Sequence, residues 1–347
     1  MPGPHDLEAA VAEACRGAGI PAWGAAPALP IPGADAALAR WVADGFHAGM
    51  AWVEAHRAVR ADPRRLFPEA LSVLVCVFPC EDAGEGGRLP GVSRFYRGED
   101  YHHRVRRALE GVLDALRHRW PGLRGRVCVD AEPLHERALA VSAGLGWVGR
   151  NACLVHPALG SFLCLGEILL NAALPPGEPV ADRCGDCRRC LEACPAGALD
   201  GQRRVDCRRC VAWHTVENRG VIPRGLKGRL GGMLFGCDRC QEACPYNAGT
   251  VPGVGAGGFA GVPRTFPPGV DDLARMSGKA FLRAYGKTAL ARAGLAGLLR
   301  NLVALSAELP GWPGHPVLGE IRRRRPLAES QWREFFDPGP AGPGITG

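Results

Sequence analysis

The stretch "CGDCRRCLEACP" places Cys184, Cys187, Cys190 and Cys194 ahead of Pro195, and a shorter echo, "CDRCQEACPYN", supplies Cys237, Cys240 and Cys244. C-x2-C-x2-C-x3-C-P is an iron–sulfur ligand run of bacterial type. Closely spaced thiolates on a tight loop reach three corners of one [4Fe–4S] cubane. The fourth cysteine, a turn further on, faces the other way and ligates a second. Two such runs interlock, so Cys184, Cys187 and Cys190 go to cluster one and Cys194 to cluster two. Cys244 crosses back to complete cluster one. Cluster two then holds Cys194, Cys237 and Cys240 and needs one more ligand. The segment "VDCRRCVAWHTVE" offers both Cys207 and Cys210, and spacing does not choose between them. Paired C-x2-C motifs also suit zinc, but the triple run followed by Cys-Pro, in crossed spacing, fits two cubanes better.

Such clusters carry electrons, so the chemistry belongs to a partner site in the rest of the chain. The chain has 347 residues, enough for two domains, with 47% hydrophobic and 22% charged residues, as in ordinary globular proteins. Its 15 cysteines favour metal over disulfides in a reducing compartment. Cys15, Cys76, Cys80, Cys128, Cys153 and Cys164 fall in strand- or helix-like segments and are expected in the core. The opening "MPGPHDLEAAVAEACRGAGI" reads as an amphipathic helix rather than an export signal. No apolar run reaches the ~18 residues of a membrane span. A cytoplasmic enzyme without membrane contact is the expectation. The net charge is +7 and almost all the positive charge is arginine. Arginine on ordinary surfaces accounts for this more simply; contact with phosphates is the sharper reading.

Helices are expected over residues 5–19 and 35–56. "SVLVCVFP" (72–79) reads as a buried strand. "EDYHHRVRRALEGVLDALRHRW" sets Val105, Leu109, Val112, Leu113 and Leu116 on one helical face. "RVCVD" is a strand ending at Asp130, "LHERALAVSAGLG" a helix closed by glycine, and "ACLVHP" and "FLCLGEILL" are further strands. The fold class is α+β. An N-terminal α/β domain spans 1–174, followed by a ferredoxin-like two-cluster domain at 175–250 and a Gly/Pro-rich linker at 251–270. A short C-terminal helical segment covers 271–334, with two helices at 278–290 and 294–308, and a disordered tail covers 335–347. "GLGWVGRN" lacks the spacing of a dinucleotide fingerprint.

The segments "DAEPLHERALAVSAGLGWVGRN", "GSFLCLGEILL" and "GCDRCQEACPYN", with "SRFYRGEDYHHRVR" and "GLLRN", resemble the epoxyqueuosine reductases over roughly residues 40–305. The resemblance implies a cobalamin-dependent iron–sulfur enzyme that reduces the epoxide of epoxyqueuosine, at the tRNA wobble position, to queuosine. The family's Asp-Ala-Arg-Arg-Cys-Ile-Ser pattern lines up with "DCRRCVA", which makes Cys210 the missing ligand and puts Cys207 in an alanine position. Cluster one is then Cys184, Cys187, Cys190 and Cys244, and cluster two is Cys194, Cys210, Cys237 and Cys240. The resemblance also implies that residues 1–174 bind cobalamin and that Asp130 is the acid. Read on its own, Asp130 is better taken as a helix N-cap for "PLHERALA"; as an acid it should be shielded, with a raised pKa. Arg60, Asn151 and Leu154 match cobalamin contacts. Ala212 stands where the family has serine, so a contact there goes through the backbone. Tyr101 and His102 lie in a matching motif, where a core aromatic and a surface histidine are an equal reading. The implied partners are tRNA carrying epoxyqueuosine and a flavodoxin- or ferredoxin-type reductant, the protein acting as a monomer. The family's helical, HEAT-like RNA grip is shortened here to two helices, with arginine-rich segments such as "IRRRR" in compensation.

Two other classes share parts of this pattern. A reductive dehalogenase has the same cofactors and a small halogenated substrate. A ferredoxin-like electron-transfer protein has the clusters and no corrinoid, and a cob(II)alamin absorbance or EPR spectrum separates it from the other two.

Overall fold

The computed structural model describes residues 2–80, 91–96, 99–248 and 269–337. The chain opens with α1 (Pro4–Gly17), which buries Leu7, Val11 and Cys15 at helical spacing, and β1 (Ala22–Pro27). In place of one helix over 35–56 there are two, α2 (Ala34–Ala43) and α3 (Ala51–Ala55). Between them Gly45, Ala48 and Gly49 adopt positive φ, which interrupts a right-handed helix whatever the apolar period. A short α4 (Arg57–Arg60) leads to β2 (Ser72–Pro79). α5 (Tyr101–Arg119) buries Val105, Leu109, Val112, Leu113 and Leu116, the face its period predicts. Then come β3 (Gly125–Cys128), α6 (Glu136–Ser142), β4 (Trp147–Val148), β5 (Leu154–Val155) and β6 (Leu163–Leu170).

The main sheet has the order β1-β2-β6-β3, and all three pairings are antiparallel. The N-terminal α/β arrangement expected from alternating strands and helices is therefore itself α+β. β6 returns between β2 and β3 in the opposite direction to both, so β2 and β3 run parallel with α5 as the crossover between them, but every hydrogen-bonded neighbour is antiparallel. Helices nevertheless cover both faces. Leu74, Cys76 and Phe78 of β2 pack with Leu7 of α1 and Leu109 of α5. Val73, Val75 and Val77 pack on the other side with Leu139 and Ala140 of α6. A strand buried on both faces reads as a continuous apolar run, the pattern more usual in parallel sheets.

Past the sheet, α7 (Arg189–Glu192), α8 (Val211–Val216) and α9 (Arg239–Glu242) are short helices between the cysteine loops. Among the described residues five α-helices follow: α10 (Val270–Arg275), α11 (Gly278–Tyr285), α12 (Gly294–Leu305), α13 (Pro316–Arg324) and α14 (Pro326–Phe336). Only α11 and α12 match the two expected; α13 and α14 each begin with proline, which breaks a helix interior but suits its first turn. Leu298, Leu299 and Leu302 of α12 share one core with Val211, Leu226, Leu230 and Phe235, so the cysteine segment and the C-terminal helices are packed on each other. Most of the Gly/Pro-rich linker (to residue 268) and of the tail (from 338) lies outside the described residues; α14 runs past the expected tail start at 335. Among the described residues no helix is long and apolar enough to cross a membrane.

Candidate active site

Two residues past β3 the chain turns at Asp130, whose φ of 53° is positive, a region that aspartate tolerates better than most residues. The N-terminus of α5 meets it there. His102 Nε2 lies 3.0 Å from Asp130 Oδ2, and His102 Nδ1 lies 2.6 Å from Asp100 Oδ1. Asp100 is also the N-cap of α5, accepting the His102 backbone N–H at 3.0 Å. Tyr101 hydrogen-bonds to Asp130 as well, and its ring stacks on His102 with centroids 4.2 Å apart. One helix start thus delivers both contacts.

Burial by itself would depress the imidazole, but the hydrogen bonds and charges of Asp100 and Asp130 outweigh it and raise His102 to about 10. Burial pushes the Asp130 carboxyl up; the hydrogen bond and charge of His102, the Tyr101 bond and the charge of Arg292 together hold it below the usual carboxylate range. This corrects the expectation of a shielded Asp130 with a raised pKa. Its side chain is 54% exposed, and at neutral pH the proton of the pair resides on His102.

Asp130 opens into a cleft of about 680 Å³, shared with solvent, whose walls include Tyr101, Glu136, Arg137, Cys153 and Leu154. Arg137 donates to the Ala152 carbonyl, which ties the first turn of α6 to the β4–β5 hairpin. That hairpin needs Gly146: a Cβ there would stand 2.1 Å from the Val155 carbonyl oxygen. Asn151 is buried; its Oδ1 accepts the Cys153 N–H at 3.1 Å. Arg60 donates to the Leu134 carbonyl at 2.6 Å. The Arg60 Nε and Asn151 Nδ2 donors are buried without partners among the described residues. Buried donors are rarely left unsatisfied, and a corrinoid fringed with amide carbonyls fits such donors. Ala212 lies in the first turn of α8, and its N–H points at the Cys210 thiol.

The cysteines fall into two groups by mutual influence. Burial raises Cys190, and the other cysteines acting on it are Cys244, Cys184 and Cys187. Burial raises Cys237 to about 12, with Cys210 and Cys194 adding to it; Cys240, also raised by burial, feels Cys153 first and then Cys237, Cys210 and Cys194. Cys207, raised to about 12 by burial, feels Cys210 alone among the thiols. Cys153, on the cleft wall, is raised by burial to about 11 and feels both Cys210 and Cys244, so the cleft backs onto both cysteine groups. Among the described residues no three metal-ligating side chains converge on one ion; the ligands of a cubane bind separate iron atoms and stand further apart.

This arrangement defines a two-cluster iron–sulfur protein with an acid–imidazole cleft. A 4Fe-4S double cluster binding domain matches residues 183–247, and the model described as epoxyqueuosine reductase QueG, DUF1730, matches residues 60–131. An epoxyqueuosine reductase of Xanthomonas campestris pv. campestris is 34% identical over 254 residues, 71% of this chain and 71% of the relative. One of Synechocystis sp. is 35% identical over 272 residues, covering 77% of this chain and 93% of the relative. A crystal structure of epoxyqueuosine reductase with an epoxyqueuosine-modified tRNA-Tyr stem loop has a TM-score of 0.80 at 25% identity, covering 95% of this chain and 89% of that one. The chain belongs to the epoxyqueuosine reductase family.

Reading the sequence alone left Asp100 and the role of His102 unassigned. The available signal was the "EDYHH" cap of an amphipathic helix; the contact with Asp130, 28 residues away, exists only in the fold.

Proposed function

We propose that this chain performs the last step of queuosine biosynthesis. It reduces the epoxide of epoxyqueuosine at the tRNA wobble position to the alkene of queuosine, taking up two electrons and two protons and releasing water. The observation that carries this reading is the meeting of a held proton and an electron route at one cleft: Asp130, 3.0 Å from His102, and Cys153, which feels one thiol from each cysteine group, both line it.

In this reading Cys184, Cys187, Cys190 and Cys244 hold cluster one, and Cys194, Cys210, Cys237 and Cys240 hold cluster two. Residues 1–174 would hold cobalamin, with the unpartnered donors of Arg60 and Asn151 available to its amide oxygens and Leu154 of the cleft wall as an apolar contact; Ala212, from outside that domain, would add a backbone contact. When bound, the reduced corrinoid supplies electrons to the epoxide carbon. The chain's own residues manage the proton. Asp100 fixes the imidazole through Nδ1, so that Nε2 faces Asp130. The proton passes from Nε2 to Asp130 and on to the departing oxygen, which is otherwise a poor leaving group. The five C-terminal helices serve as the HEAT-like RNA grip, with Arg323 and Arg324 exposed at the end of α13. A flavodoxin- or ferredoxin-type protein reduces the clusters, and a single cytoplasmic protomer suffices.

Nucleoside analysis of tRNA from a deletion strain tests this. Epoxyqueuosine should accumulate and queuosine should vanish, and a plasmid copy should reverse both. Unchanged queuosine would overturn the assignment.

A further inference from the structure

Two successive backbone N–H groups lead into the Asp130 side chain, and a separate glutamate takes each. The Val129 N–H donates to Glu132 Oε2 at 2.8 Å. The Asp130 N–H donates to Glu136 Oε1 at 2.7 Å. Neither glutamate is loose. Arg106 of α5 donates to Glu132 Oε1 at 2.8 Å, one helical turn beyond His102. Glu136 sits at the first position of α6, whose N-cap, His135, makes no side-chain capping bond. α5 therefore grips the turn twice on one face, through His102 on the Asp130 carboxylate and through Arg106 on Glu132. Glu136 grips it from α6. The gripped residue has a positive φ, so its conformation costs free energy unless its surroundings specify it.

We propose that Glu136, supported by Glu132, is a positioning residue for the reduction: it holds the Asp130 peptide so that the carboxylate meets both His102 and the cleft. This rests on the reading of Asp130 as the proton-delivering group. Acceptance of a peptide N–H needs an oxygen at this place and not a charge. Glutamine therefore preserves the positioning and alanine removes it. A misplacement on the order of 1 Å is enough to cost a catalytic group about 100-fold.

The test is single-turnover conversion of epoxyqueuosine tRNA by pre-reduced holoenzyme, in wild type, Glu136→Ala, Glu136→Gln, Asp130→Asn and the double variant Asp130→Asn/Glu136→Ala. Hydrogen–deuterium exchange of the 128–134 segment is measured alongside. Glu136→Ala should slow turnover ~10- to 100-fold at unchanged tRNA affinity and iron content, with faster exchange at residues 129 and 130. Glu136→Gln should stay within about twofold of wild type in both readouts. In the double variant the alanine should add no further loss to that of Asp130→Asn, because a residue that acts through Asp130 has nothing left to position. Additive losses, a glutamine variant as slow as the alanine one, or unchanged exchange would each overturn the inference. If the alanine variant does not fold, the glutamine variant decides through its rate and exchange. A slow Asp130→Asn beside a Glu136→Ala of normal rate sinks this inference alone; an Asp130→Asn of normal rate sinks the reading of Asp130 and this inference with it.

Discussion

His102 and Asp130 meet at 3.0 Å, joining the first turn of a 19-residue helix to the turn that follows the edge strand β3. Because His102 is raised to about 10 by its two aspartates, the pair holds a proton throughout the neutral range. The sign of the linkage follows from that. A histidine raised above its unfolded value of about 6.5 contributes stability that is fully present below that pH, erodes as pH rises, and is gone above about 10. His102→Gln should therefore lower Tm at pH 6 and make progressively less difference by pH 10. Thermal melts of both proteins across that range check this. A difference that grows with pH would contradict the charged-imidazole assignment.

The two cysteine groups give an expectation for the ligand set. Cys207→Ala should leave both clusters in place, because Cys207 stands where the family pattern has alanine. Cys210→Ala should lose most of cluster two. Iron and sulfide determination on the purified variants measures this. Full iron in Cys210→Ala together with loss in Cys207→Ala would reverse the assignment.

How far the sequence reveals this site depends on which interactions are local. The cysteine runs are legible because their ligands follow each other at fixed spacing, and β2 and α5 are legible because burial imposes an apolar period on contiguous residues. α2 and α3 merge in the sequence, since their apolar pattern continues across a break made by the backbone at Gly45 and Gly49. α13 and α14 hide behind their N-terminal prolines. Asp130 shows the limit most clearly. Its position after a strand is readable, but its low pKa depends on His102 and Tyr101. Those residues come from another element, and no spacing rule links the two.

RNA binding by exposed arginines has a direct signature. If Arg323, Arg324 and their neighbours neutralise phosphates, affinity for tRNA should fall steeply with salt, with a log–log slope of about −0.7 to −0.9 per phosphate contacted. Binding titrations between low and physiological salt measure it, and Arg323→Ala should weaken binding and flatten the slope by about one contact. A binding constant indifferent to salt would mean that the +7 charge does not serve RNA.

The most direct measurement is single-turnover conversion of epoxyqueuosine tRNA by pre-reduced wild type and Asp130→Asn. Asparagine keeps the size of the side chain and would cap a helix as well as aspartate does, but it cannot relay a proton from His102. The account predicts that the variant binds both clusters, cobalamin and tRNA, and forms queuosine ~10²- to 10⁴-fold more slowly, the usual worth of a positioned acid. Queuosine formation at the wild-type rate would contradict it.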